Sequence, residues 1–320
     1  MTGTNEPKKR LDGMGAIGKA FTFVFGNLGH LFATSILTLF VVALFQIAYT
    51  WATIDDLIEL QTQALIVTDE TGASAFMAAI ADLYFSPNGI FMMMASFVIS
   101  LVFGGMFAVR WHRSALFGSD ADNTGLGFEF SNSLGRYVIS IVLITLVSFV
   151  IILIPSAVFG AAVGGGNLGL AGIAGPLILV ALVASLYVSG RLMIALPAAA
   201  LDIPNFGLRE AWQHSNGHGW GLLGASIVMY LAVFVLIILI SIPLSIVGSL
   251  FWGPWEPPVT DDLDLIVAWQ IEAARPQIWW DTLSSLLFYP VIAGVVTSFY
   301  SYIYLQIGKP PAWVEEQGDA

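Results

Sequence analysis

The sequence predicts an all-α membrane protein with six transmembrane helices, arranged as three tandem hairpins with short amphipathic helices at the membrane interface. Of the 320 residues, 57% are hydrophobic and 10% are charged, whereas a soluble domain carries about 25% charged residues. Six apolar segments reach the length of about 20 residues that a helix needs to cross the hydrocarbon core. The connections between them are basic on one side and acidic on the other. We therefore expect one integral membrane domain over residues 1–320.

The six apolar segments define the predicted spans. They cover residues 31–51, 90–109, 137–159, 176–196, 220–245 and 283–305. Their order pairs them into three hairpins, at about residues 15–113, 125–201 and 207–309. A signal peptide is not expected, because the apolar run after Arg10 begins only near Leu28 and exceeds the apolar core of about 7–15 residues that such peptides have. We interpret this run as a retained first span.

The basic residues predict the orientation of the spans. Ten of the eleven Lys and Arg residues lie on one side, namely Lys8, Lys9, Arg10, Lys19, Arg110, Arg113, Arg136, Arg191, Arg209 and Lys309. Only Arg275 lies on the other side. Because connections rich in Lys and Arg stay in the cytoplasm, we expect both termini in the cytoplasm and the chain in a bacterial inner membrane.

The outer connections are predicted to be acidic. Twelve carboxylates lie between spans 1 and 2 and between spans 5 and 6, among them Asp55, Asp56 and Asp281. Two interpretations remain open: a solvated outer surface, or a surface that attracts cations or docks a basic protein partner. The net charge of −11 argues against a nucleic-acid partner.

Hairpins 2 and 3 carry a weak internal repeat. The proline and glycine of Pro155 and Gly160 recur as Pro243 and Gly248, and the pair Ser131-Asn132 recurs as Ser215-Asn216. The two offsets differ by about one helical turn, so the same helix face is kept. The repeat indicates duplicated hairpins, although chance matching in apolar sequence is the alternative.

Aromatic segments before spans 1, 3 and 5 predict the interfacial helices. These segments are residues 21–25, 128–130 and 211–214, and rings at headgroup depth are typical of membrane interfaces. On the outer side, Thr260 is expected to begin a helix that continues to Arg275. Ile54, Leu57 and Ile58 show similar amphipathic spacing after span 1.

Basic and aromatic residues at the predicted cytoplasmic ends are the candidate site. Arg191 is the only charge between Ile173 and Leu201, and an ionisable residue at such a depth suggests function. We expect an anionic lipid contact formed by Arg110, Trp111, Arg113, Arg136, Arg191 and Trp220. The alternative is that these residues only determine topology, with the Arg191 side chain reaching the headgroups from the end of its span.

Enzyme, cofactor and metal motifs are not recognised. Without cysteine, thiolate chemistry is excluded, and neither a phosphate-binding loop nor a G-x-S-x-G motif is found. His214 and His218 have i, i+4 spacing, but their glycine neighbours and the lack of a further ligand argue against a metal. The spans also lack the paired carboxylates that are typical of ion-coupled carriers.

The stretch from Arg191 to Trp220 carries a family resemblance. An arginine ends a span, an apolar segment with Pro197 follows, and an Ala211-x-x-x-Ser215 helix leads into the next span. This pattern resembles bacterial multi-pass membrane proteins, and in particular the membrane domain associated with glycerophosphodiester phosphodiesterases. The catalytic domain of that group has no counterpart here, so the resemblance implies a membrane module rather than an activity.

The predicted function is therefore that of a non-enzymatic inner-membrane protein with a structural, regulatory or lipid-associated role and membrane lipids as partners. The alternative is a transporter or channel for small molecules or ions. Its path would need buried polar groups, for which the spans offer Gln46, Ser185, Ser189, Thr297 and Ser301.

Overall fold

A computed structural model describes residues 11–66, 80, 85–118, 130–164, 168–252, 263–308 and 310. Within these ranges the chain forms nine α-helices and no β-strand. The helices are α1 (Gly13–Gly26), α2 (Leu28–Ile66), α3 (Pro87–Phe117), α4 (Asn132–Gly164), α5 (Leu168–Leu192), α6 (Ala195–Ala200), α7 (Leu208–His214), α8 (Gly219–Trp252) and α9 (Leu263–Ile307).

Six of these helices are long and apolar enough to cross a membrane. Their qualifying segments are Leu28–Ile58, Pro87–Phe117, Asn132–Ala162, Gly172–Ala200, Gly219–Leu250 and Pro276–Ile307. Each contains one predicted span completely, so the prediction of a multi-pass α-helical membrane protein is confirmed. Large apolar side chains such as Phe40 and Leu239 are 62% exposed, which is a favourable arrangement in lipid but a costly one in water.

The helices extend beyond the predicted spans. Span 1 was predicted to end at Trp51, whereas α2 continues to Ile66. Apolar length predicts only the part that crosses hydrocarbon, and the next turns of α2 still bury Ile54 and Ile58 against Ile278 and Trp279. The predicted amphipathic character of this segment is thus confirmed for these two residues.

Prolines affect the helices differently according to their position. α4 and α8 continue past Pro155 and Pro243, since one lost hydrogen bond is tolerated within apolar packing. By contrast, predicted span 4 is interrupted, because α5 ends at Leu192 and α6 begins at Ala195. Pro197 cannot donate to the carbonyl of Met193 four residues earlier, and its ring would collide with that carbonyl in a continuous helix.

The predicted interfacial segments are only partly described. Residues 21–25 lie in α1, and residues 211–214 end α7, so both are helical as predicted, whereas Phe130 is not in a helix. Their interfacial location stays a prediction. Residues 128–129, Thr260 and half of the twelve outer carboxylates lie outside the described residues.

The chain divides into two compact units. The first contains residues 1–34, 105–233 and 292–320, and the second contains residues 35–104 and 234–291. In the second unit, Thr38 donates to the Phe103 carbonyl over 2.9 Å, and the hydroxyls of Thr50 and Thr282 are 3.3 Å apart. Both units combine parts of several predicted hairpins, so the division into three tandem hairpins stays a prediction.

Candidate functional site

The six predicted lipid contacts all belong to the first unit but differ in exposure. Trp111 is completely buried, Arg110 and Arg191 are almost completely buried, and Arg113 and Arg136 are half-buried. Only Trp220, at 75%, is largely exposed. Trp111 therefore has no accessible surface that a lipid could contact in this conformation, and its contacts are intramolecular.

The linker, defined as residues 195–215, runs from the break in predicted span 4 towards the start of span 5 and is held in a defined conformation. The N–H of Asp202 donates to the Ala199 carbonyl and that of Ile203 to the Ala198 carbonyl. Together with the positive φ of 53° at Asp202, these bonds form a Schellman ending for α6. Asp is one of the few residues that adopt this backbone conformation readily, since its short polar side chain can bond locally.

The second short helix of the linker begins with a side-chain cap. The N–H of Gly207 donates to Oε2 of Glu210 over 3.0 Å, which satisfies one of the donors left free at a helix start. Hydrogen bonds from the backbone N–H groups of Glu210 and Gly207 lower the pKa of the Glu210 carboxyl. The carboxylate also lies in the first turn of α7, where the helix dipole favours a negative charge.

Arg113 and Arg136 bind backbone carbonyls of this linker. Arg113 Nε donates to the carbonyl of Ala200 over 3.0 Å, at the end of α6. Arg136 Nη2 donates to the carbonyls of Ile203 over 2.6 Å and Phe206 over 3.2 Å. Cations are favoured near helix C-terminal carbonyls, so basic residues at the ends of two spans hold the linker.

Arg191 binds the linker in the same way but from α5. Its Nη2 donates to the Trp212 carbonyl over 2.6 Å, and its Nε donates to Ser215 Oγ over 2.9 Å. The guanidinium lies 3.5 Å from the Trp212 ring centroid, and Nη1 is 3.4 Å from the Tyr187 hydroxyl. These partners are all neutral.

The charge of Arg191 therefore lacks a counter-ion among the described residues. In that part of the chain the carboxylate ion pair that the structure shows joins Arg136 to Asp202 over 2.8 Å, and none involves Arg191. A guanidinium has five N–H donors, and the three contacts above use three of them. Two donors and a full positive charge are left for another ligand.

An apolar groove begins beside this cation. It has a volume of about 510 Å³ and lies between α5 and the start of α8. Its walls include Leu179, Val183 and Ala184, and Tyr187 and Trp220 close one part of it with ring centroids 5.2 Å apart. Tyr187 thus touches both the groove and the Arg191 guanidinium.

A buried polar cluster lies elsewhere in the first unit, and the sequence did not predict it as a site. Trp111 Nε1 donates to the Gly294 carbonyl over 2.9 Å and to Ser298 Oγ over 2.8 Å. His112 Nδ1 lies 2.7 Å from Ser301 Oγ. A Cβ at Gly294 would lie only 2.8 Å from Leu31, so this glycine permits close helix packing. The small residues of α9 make room for the large rings of α3.

His214 and His218 do not share a helix face, despite their i, i+4 spacing. α7 ends at His214, and Gly217, with φ of 86°, turns the chain before His218. The ring of His214 instead packs on Phe206, with centroids 5.3 Å apart. Among the described residues no three His, Asp or Glu side chains gather at metal-binding distance.

No protein-family model, curated protein or solved structure matches this chain. The resemblance to the membrane domain associated with glycerophosphodiester phosphodiesterases therefore stays a prediction. Fold and site together define the chain as a multi-pass α-helical membrane protein with six candidate spans, whose basic residues from three span ends bind one interhelical linker.

Proposed function

We propose that this protein is a non-enzymatic component of a bacterial inner membrane that holds an anionic phospholipid beside Arg191. The observation that carries the proposal is that Arg191 is only 6% exposed while the partners of its guanidinium are two hydroxyls, one carbonyl and an aromatic ring. Burying a charge without an opposite one costs several kcal/mol. A phosphate would offset this cost and use the two remaining donors.

The groove supplies a place for the rest of the lipid. Its lining is apolar apart from the Tyr187 hydroxyl and the Trp220 indole, which suits an acyl chain. A Tyr and a Trp at one end match the amphipathic rings found where acyl chains meet headgroups. A phospholipid would then place its phosphate near Arg191 and Tyr187 and one chain along Leu179 and Val183.

The proposed orientation places this end of the protein in the cytoplasmic leaflet, with both termini in the cytoplasm. Ten of eleven basic residues lie on that side, and anionic lipids are attracted by such residues. Two arginine–serine contacts support the proposal of tandem hairpins. Arg113 donates to Ser133 over 2.9 Å, and Arg191 donates to Ser215 over 2.9 Å, so the exit of one span binds the entry of the next in both places.

A transporter role and a basic protein partner stay proposals, each with fewer contacts in its favour than the lipid site. A transporter would need a polar path, whereas Ser189 and Ser301 use their hydroxyls on carbonyls of their own helices. A basic protein partner at the outer side would contact carboxylates such as Asp55 and Asp56, which are exposed.

Lipid retention tests the proposal. The protein and its Arg191→Gln variant would be purified in mild detergent, and the retained lipids identified by native mass spectrometry. Arg209→Gln is the matched control, because Arg209 is exposed on α7 and its loss changes the total charge equally. We expect Arg191→Gln to lose most of the retained anionic lipid and Arg209→Gln to keep it.

A second pair of variants tests the groove without touching a charge. Ala184→Phe fills the groove, whereas Leu182→Phe adds bulk at a neighbouring exposed position outside its lining. We expect only Ala184→Phe to lower retention. Equal retention in all four folded variants, checked by thermal unfolding, would refute the proposal.

A further inference from the structure

A second, smaller cavity lies within the first unit. Its volume is about 190 Å³, and its walls come from α3, α4, α9 and the α5–α6 junction. The lining combines apolar side chains such as Ile144, Met193 and Leu196 with the polar groups of His112, Tyr137 and Tyr300. It shares no lining residue with the groove beside Arg191.

The hydrogen bonds of His112 determine which ring nitrogen faces the cavity. Ser301 Oγ donates its only proton to the Thr297 carbonyl over 3.0 Å. We therefore assign Ser301 Oγ as the acceptor at 2.7 Å from His112 Nδ1, so that Nδ1 carries the ring proton. In the neutral imidazole that a buried, unpaired position requires, Nε2 is consequently an acceptor.

The acceptor, His112 Nε2, has a long hydrogen-bond contact. The contact of His112 Nε2 is with the Tyr137 hydroxyl at 3.4 Å, which is long for an O–H···N bond. Tyr137, which contacts Nε2, lines the cavity, whereas Ser301, which contacts Nδ1, does not. The Nε2 edge of the His112 ring is therefore the edge that borders the cavity. His112 itself is only 1% exposed, and a poorly bonded acceptor at this depth is costly.

We propose that this cavity binds a small, largely apolar molecule with one hydroxyl group, in the size range of a monocyclic phenol. The hydroxyl donates to His112 Nε2, and the ring or short chain packs on Ile144 and Leu196. The volume agrees with this class, because apolar cavities of about 150 Å³ bind benzene. A molecule with an ionised group does not fit, since no side chain of opposite charge is among the wall residues.

The test uses 4-fluorophenol as the probe and fluorobenzene as its counterpart without the hydroxyl. Binding to the full-length protein in detergent is followed by ¹⁹F NMR, with protein-free micelles as the background. Ile144→Trp fills the cavity, and Leu143→Trp places the same bulk on a neighbouring side chain that is exposed and outside the lining. We expect saturable binding of 4-fluorophenol to the native protein and to Leu143→Trp, and at least a tenfold loss in Ile144→Trp.

The role of the hydroxyl is tested separately with His112→Leu. In the native protein 4-fluorophenol should bind about two- to tenfold more tightly than fluorobenzene, the effect of one hydrogen bond. That ratio should fall towards one in His112→Leu. Absent saturation, equal loss in both tryptophan variants, or an unchanged ratio in a folded His112→Leu would each overturn the proposal. If His112→Leu does not fold, the tryptophan pair and the native ratio still decide it.

Discussion

The linker gives a quantitative prediction for Arg136→Ala. The variant loses two charge-assisted hydrogen bonds, to Ile203 and Phe206, and such bonds contribute about 1.5–3 kcal/mol each. The ion pair with Asp202 adds little, because the two side chains are 33% and 50% exposed and exposed pairs contribute about 0–1 kcal/mol. Two such bonds would contribute about 3–6 kcal/mol, but Arg136 is half-buried and water weakens them, so we expect a smaller cost of about 2–4 kcal/mol.

Asp202→Asn is the matched control for this estimate. It removes the carboxylate charge of the ion pair but keeps a residue that tolerates the positive φ of 53° at this position. Its cost should stay below about 1 kcal/mol. Comparing the two variants separates the backbone hydrogen bonds from the ion pair.

Trypsin offers a local assay, because Arg209 is an exposed residue within the linker. When opening is fast relative to cleavage, the rate follows the population of the open linker. A cost of 2 kcal/mol therefore corresponds to about 30-fold faster cleavage at Arg209. Acceleration by Asp202→Asn as large as that by Arg136→Ala would refute the reasoning, since the ion pair would then hold the linker.

Three further predictions concern the Trp111 hydrogen bond, the Tyr304 hydroxyl and the topology. Trp111→Phe loses the bifurcated hydrogen bond that its one N–H donates to Gly294 and Ser298 and should cost about 1–3 kcal/mol in thermal unfolding. No change in stability would contradict the role of this bond. Tyr304→Phe removes a buried hydroxyl without a partner among the described residues. The midpoint temperature of thermal unfolding should therefore be unchanged or slightly higher. Reporter fusions after Phe76 should report the outside and those after Asp122 the cytoplasm, and a cytoplasmic signal at Phe76 would overturn the topology.

The six spans were predictable because hydrophobic length is a local property. A run of about 20 apolar residues needs no partner to be recognised. The helix ends were less predictable, because they depend on packing. The turns of α2 after Trp51 are helical while they pack on Ile278 and Trp279, far away in the sequence. The break before Ala195 did have a local signal, Pro197, but Pro155 and Pro243 carry the same signal inside continuous helices.

The candidate site was predicted by residue type but not by geometry. The isolated charge of Arg191 identified it as a candidate from the sequence alone. Its partners Trp212 and Ser215 were not predictable, because they lie more than 20 residues later. The buried cluster escaped prediction because Trp111 and His112 meet Ser298 and Ser301 only after α3 and α9 pack together. A faint signal was present, since Gly294, Ser298 and Ser301 recur at i, i+4 and i+7, the spacing of one helix face.

Arg113, Arg136 and Arg191 all donate hydrogen bonds to carbonyls of the linker, and all lie on one side of the predicted spans. The two features have a common physical basis. A short helix such as α6 or α7 ends with carbonyls that have no partner of their own, and in a membrane protein these carbonyls cannot all rely on water. An arginine at a span end supplies donors for them and remains charged, so it also serves orientation. Arg113 and Arg136 supply such donors to carbonyls at 3.0 and 2.6 Å, and their role in orientation stays a prediction. Arg191 does so too, but with its charge buried and two donors left over. This surplus, rather than the presence of a basic residue, distinguishes it as the ligand-binding candidate.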